Sequence, residues 1–269
     1  MCIRDRSNFV FLAVHVVFGE DSPAFMQWGW RIPFLLSAVL IVAALIIRLK
    51  VKETPAFSET ATKPAQGVPL ITLLRTQGRS VLLAGGVAIC SAMLAFQPGT
   101  FITHYAADHL DYSTNSVLFV NVVGGLCAVG CAAVTAILSD SHGRRRITLC
   151  AFAFAAPWAF AVFPLVEMHN PVVFGLTVIV TYAFVGLCMG PLAAFLPETF
   201  ATEHRYTAAA LSHTMGAIIG GALPPVLSPV LAAHFGGWGV AVMMGGLATV
   251  SLACVAAMPE TLPRRTTPR

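Results

Sequence analysis

The stretch Asp140-Ser141-His142-Gly143-Arg144-Arg145-Arg146 packs an acid, a glycine and three arginines into seven positions. Apolar runs of about 20 residues lie on either side of it, the length that crosses a bilayer. So dense a charge cluster has no place in hydrocarbon. It is predicted to be a tight loop at a membrane face. Three arginines put that face on the cytoplasmic side. The chemistry open to such a group is electrostatic. Asp140, at the start of a helix, is placed to cap free backbone amides and to favour the positive end of the helix dipole. Glu198 and Arg205 fall on a second loop of the same face. They are expected to pair with each other or with Arg144–Arg146, in a network stronger in one conformation than in another.

A second set of candidates sits inside the apolar runs. Polar groups there are costly without a partner, so they point to cavities and pathways. They are Gln97, Asn121, Tyr182, Ser212 and His213, with His15 nearer the start. Gln97 adjoins Pro98-Gly99, where a broken helix would free carbonyls and amides, and this makes it a candidate substrate contact. Histidine is the side chain that titrates near neutral pH, so His213 is a candidate proton carrier. Asn121 and Tyr182 are candidates for the same path, or for bonds between helices.

The elements that must position these residues follow from composition. The 269 residues are 57% hydrophobic and 10% charged, against about 25% charged in soluble domains. A surface for water is missing, so the chain is read as an all-α polytopic membrane protein. The runs do not alternate, which excludes a membrane barrel. The net charge of +4 comes from residues scattered through short loops and does not suggest nucleic acid. The seven cysteines lie mostly in apolar runs, with no metal spacing and no disulfide framework. No phosphate-binding loop, nucleophile elbow, zinc-protease motif or dinucleotide fingerprint is present, so no enzyme and no cofactor is read.

Along the chain, residues 1–7 read as artefactual or scar sequence. The apolar run of residues 8–19 is too short to span and reads as the tail of a cut helix. Trp28-Gly29-Trp30-Arg31 anchors the mouth of a helix over residues 32–49. Residues 50–79 form the longest polar stretch, with a short surface helix over residues 70–75, and divide two membrane halves. Six apolar segments then fill residues 80–258, and 259–269 is a tail. Alternating the loops puts 15 of the 16 Lys and Arg on one face, counting Arg4 and Arg6, and leaves Arg31 on the other. The C-terminus is therefore expected in the cytoplasm. Gly216-x-x-x-Gly220 reads as close helix packing, and Gly220-Gly221 before Pro224-Pro225 as a kink.

The loop Asp140–Arg146 resembles the G-x-x-x-D-R-x-G-R-R signature of the major facilitator superfamily, with Ala136 and Ser141 in place of its first glycine and second basic residue. Pro197-Glu198-Thr199-Phe200, followed by Arg205-Tyr206-Thr207, resembles that family's loop between its tenth and eleventh helices. Gly29-Trp30-Arg31-Ile32-Pro33-Phe34-Leu35 is similar to the metabolite:proton symporter branch. The resemblance covers residues 9 to 261. It implies about six full transmembrane helices plus a truncated one, matching the end of helix 5, helix 6 and helices 7–12 of a twelve-helix carrier in the inner membrane. It implies a role in gating for Asp140, Gly143, Arg144, Arg145, Glu198 and Arg205. The expected function is proton-coupled symport of a small organic acid or zwitterionic osmolyte. The partners are then that substrate, a proton, the bilayer and the missing N-terminal helices. An exporter of drugs or metabolites, and a sensor built on a carrier scaffold, are the alternatives.

Overall fold

The computed structural model describes residues 31–50, 69–110, 112–201 and 205–261. The chain divides into two compact units, Met1–Pro69 and Leu70–Arg269. In the first unit, helix α1 (Ile32–Lys50) is apolar until Arg48 and Lys50. The cut helix expected over residues 8–19, the tryptophan anchor and residues 51–68 lie outside the described residues.

The described residues of the second unit form helices joined by short turns. α2 (Pro69–Gln97) bends at Gln77 (φ −129°, ψ 21°), so its first two turns are the short helix expected over residues 70–75. A π-helical turn, Pro98–Ile102, joins it to α3 (Thr103–His109). α4 (Thr114–His142), α5 (Arg144–Val166) and α6 (Pro171–Glu198) follow. α7 (Arg205–Gly216) runs through a second π turn, Ala217–Ala222, into α8 (Leu223–Ala257). Start signals are local: Ser113 accepts from Ser116 N, Asn170 accepts from Val172 N and Val173 N, and Pro171 opens α6.

Five stretches among the described residues are long and apolar enough to cross a membrane. The last, Arg205–Ala257, has 53 residues, about 80 Å at 1.5 Å per residue. It cannot be one span. Gly236 breaks it with φ +65° and ψ −166°, a conformation open to glycine alone. Side-chain contacts show the reversal. Ser212 touches Val81 and Ser228 touches Gln97, so the chain runs parallel to α2 up to the break. Ser251 then returns to Gly86 and Cys90. The break at Gly236 thus divides the last of the five stretches into two apolar segments that run in opposite directions along α2.

Proline explains both π turns. Pro98 has no N–H for Leu94 O, and Pro224 and Pro225 have none for Gly220 O and Gly221 O. The helix widens instead of breaking: Leu223 N bonds Ile218 O, five residues back. Gln97-Pro98-Gly99 is therefore a bulge and not the break expected from sequence. The hydroxyls of Thr100 and Thr103 take up Phe96 O and Pro98 O.

Inside, Phe152, Phe163, Phe195, Met93, Leu192 and Met244 are fully buried. Outside, Phe119, Ile137, Phe154, Leu176, Val226 and Val242 are exposed. An exterior as apolar as the core suits lipid, not water.

Candidate functional site

One residue joins two long helices at the charged end. α4 stops at His142, Gly143 takes φ +105°, and α5 starts at Arg144. The positive φ at Gly143 favours glycine, and a Cβ there would lie 2.8 Å from Oε2 of Glu260 and push that carboxylate aside. Arg144 turns back over this corner. Its Nε and Nη2 donate to the two carboxylate oxygens of Glu198 at 3.2 Å each, a two-point ion pair. Its Nη1 donates to Ser139 Oγ at 3.1 Å and pairs with Asp140. The Arg144 side chain is 14% exposed, against 62% for Asp140 and 35% for Glu198. One guanidinium thus ties the end of α4 to the end of α6.

The start of α5 is capped from afar. Oε1 of Glu260, just past α8, accepts from the backbone N–H of Arg145 at 3.1 Å and of Thr261 at 3.2 Å. Arg145 returns the contact, donating Nη2 to Ala256 O at 2.6 Å. Cations suit a helix C-terminus and carboxylates an N-terminus. Thr261 Oγ1 donates to Glu198 Oε2 at 3.1 Å, which closes the ring. The ends of α4, α5, α6 and α8 therefore meet in one polar node. Asp140 does not cap α5: it sits on the last turn of α4 and pairs with Arg144. Glu260, absent from the sequence-based site, takes that role. Its signal was the tripeptide Pro-Glu-Thr, at residues 197–199 and again at 259–261. Glu260→Ala is expected to lower stability by about 1 kcal/mol, the scale of a lost N-cap. Glu260→Gln should lose less, because an amide oxygen still accepts. Thermal melts of the purified variants check this order.

Of the two pairings open to Glu198, the structure has the one with Arg144. Arg205 opens α7 on the exposed surface, and no ion pair joins it to Glu198.

The interior candidates fall into two groups. Tyr182 on α6 donates its hydroxyl to Asn121 Oδ1 on α4 at 3.0 Å. Asn121 Nδ2 donates to Val117 O at 2.9 Å and to Thr103 Oγ1 at 3.2 Å, and Thr103 reaches Pro98 O at 2.7 Å. This chain of bonds runs from α6 through α4 to the first π turn. Asn121 and Tyr182 are both buried, which fits the reading of bonds between helices. Gln97 is elsewhere, at the contact of α2 with α8. Its Nε2 donates to Ser228 Oγ at 2.6 Å, while its Oε1 is buried and accepts nothing. His213 is exposed on α7, apart from both groups.

Long apolar helices, a one-residue helix corner and an arginine node that includes Asp140 and Glu198 are thus set together at one end of the unit. The family model described as Major Facilitator Superfamily matches residues 22–225. The chain belongs to the major facilitator superfamily.

The inner membrane metabolite transport protein YhjE of Escherichia coli (strain K12) is 31% identical over 95% of this chain and 59% of its own length. The proline/betaine transporter of Salmonella typhimurium (strain LT2) is 28% identical over 83% of this chain and 45% of its own. The shikimate transporter of Escherichia coli (strain K12) is 26% identical over 79% and 50%. The chain spans about half the length of the curated relatives it matches. The superfamily match takes in the corner at Gly143 and Glu198, but stops before Glu260.

Proposed function

We propose that this chain contributes to a secondary active transporter of the inner membrane, moving a small organic acid or zwitterionic osmolyte together with a proton. Residues 80–258 are its C-terminal six-helix half, with the arginine-rich face and the C-terminus in the cytoplasm. The names of the relatives, covering proline, betaine and shikimate, support this substrate class.

The observation that carries the reading is the node at Arg144. Alternating access requires helix ends that are held in one state and released in another. A two-point ion pair between Arg144 and a half-exposed Glu198 suits that duty, because water can replace it when the helices part. Asp140, Gly143 and Arg145 complete the latch, with Arg205 beside it at the same face. Gln97, with an idle acceptor beside a π turn, is the residue best suited to receive a donor from the substrate. His213, exposed on α7 and apart from both groups, is the proposed proton carrier. Asn121 and Tyr182 hold the wall behind them.

The test is uptake by cells that lack their own betaine and shikimate carriers and express the full reading frame. Labelled betaine and shikimate are offered with and without a protonophore. Uptake of one of them, lost on adding the protonophore, is expected. Accumulation that ignores the protonophore would remove the proton from the reading. Absence of uptake of both would remove the substrate class.

A further inference from the structure

Three fully buried serines of α7 and α8 spend their hydroxyls on or beside α2. Ser212 Oγ donates to Val81 O at 3.3 Å, and Ser228 Oγ accepts from Gln97. Ser251 differs from both. Its Oγ donates to Gly86 O at 2.7 Å and accepts from Cys90 N at 3.0 Å. Gly86 and Cys90 stand four apart, so these two groups are the acceptor and donor of one rung of the α-helical ladder. A side chain of α8 therefore sits astride a backbone rung of α2.

The approach depends on Gly86. A Cβ there would overlap Sγ of Cys254, which lies three residues from Ser251 on the same face of α8. Glycine also removes the side chain that would otherwise keep α8 away from the rung. An inserted hydroxyl is one of the few identified causes of helix bending.

The arrangement has a second form in which no bond is lost. If Ser251 withdraws, Gly86 O and Cys90 N bond each other. The freed hydroxyl can turn to the carbonyl four residues back in its own helix, Leu247 O. Two neighbours on α8 already do this: Thr249 Oγ1 donates to Gly245 O, and Ser228 Oγ to Pro224 O. Both forms satisfy every group, so hydrogen bonding by itself does not choose between them. That is the requirement for a bistable element.

We propose that Ser251 is a hinge pin. Inserted, it holds the Gly86–Cys90 rung apart while the backbone there stays helical. Withdrawn, it lets the rung close, so a shift of α8 along α2 becomes a change in how readily α2 bends at that turn. The hinge does not rest on the carrier reading, since it concerns the packing of two helices.

The test is amide hydrogen exchange of residues 84–94, by mass spectrometry on the full chain in lipid nanodiscs, with no substrate present. In Ser251→Ala the rung closes within α2, and exchange at Cys90 should slow by about fivefold, the scale of one side-chain-to-backbone hydrogen bond. Ser251→Cys keeps the shape while weakening the bond. It should shift exchange in the same direction by less, and serves if the alanine variant fails to fold. A hydroxyl that only braces α2 gives the opposite sign: its loss would speed exchange. Faster or unchanged exchange at Cys90 therefore overturns the hinge, whatever the outcome of the uptake experiments.

Discussion

Under the proposed carrier role, Arg144→Gln should leave the protein inserted and folded while reducing uptake by about tenfold, within the range of coupling between distant elements. Glutamine has the reach to touch one of the two acids but no charge for either. Asp140 and Glu198 would then face each other with their shared cation gone. The stability cost is limited because both acids remain partly in water. A fully buried pair broken on one side costs about 3–5 kcal/mol, and an exposed pair about 0–1 kcal/mol. With Arg144 at 14% exposure and its partners at 62% and 35%, about 1–2 kcal/mol is expected between those limits. Arg144→Lys should be intermediate. An ammonium is a point charge and cannot bridge both oxygens of Glu198. The exchange of Arg144→Glu with Glu198→Arg should recover part of the uptake, since it restores that pair and leaves Asp140 facing a like charge. Initial uptake rates are compared at matched abundance, beside melting curves. Normal uptake by Arg144→Gln at normal abundance would show that the node is only a structural tie.

The charged corner was legible in the sequence because charge in so apolar a chain can lie only at a membrane face. The long apolar helices were legible for the same reason. The capping acid was not. Asp140 lies beside the start of α5 and Glu260 lies 115 residues beyond Arg145, so a local reading chooses the nearer carboxylate. The internal partners were hidden by the composition itself. Facing positions are read from contrast between an apolar and a polar side of a helix. Here lipid and core ask for the same residues, so Gln97, Asn121 and Tyr182 could be named but not joined. The bulge at Pro98 was read as a break because sequence shows the lost N–H but not what replaces it. Thr100 and Thr103, two and five residues on, supply the hydroxyls that let the helix continue. Ser251 gave no signal, since a serine in an apolar run is unremarkable until Gly86 is seen opposite it.

Gly220→Ala and Gly186→Ala should be among the most damaging single changes in the second unit, and Gly130→Ala and Gly246→Ala among the mildest. The chemical change is the same methyl group in all four. Intrinsic helix preference alone would make each substitution favourable, by about 0.5–1 kcal/mol. Packing decides otherwise at the first two. A Cβ on Gly220 would overlap the carbonyl oxygen of Ile89, and one on Gly186 that of Ala128. Both obstacles are backbone atoms of a neighbouring helix, so no rotamer change relieves them. The helices must separate. This breaks the close approach of the π turn to α2 in one case and of α6 to α4 in the other. Gly216 overlaps Ala88, and Gly190 overlaps Ala132 O, so each contact is one of a pair spaced by four residues. Overpacking of this kind costs about 1–3 kcal/mol, and separation along a paired contact puts these sites at the upper end. Gly130 and Gly246 have nothing within 4 Å of the new methyl. Melting temperature in one detergent, measured on all four variants, separates the two explanations. If the four melt alike, helix preference dominates and the close contacts are not what holds the unit together. If only Gly220→Ala and Gly186→Ala fall, backbone proximity is the source of stability. That is the expected result in a bilayer, where lipid removes the hydrophobic drive between helices and leaves packing to do the holding.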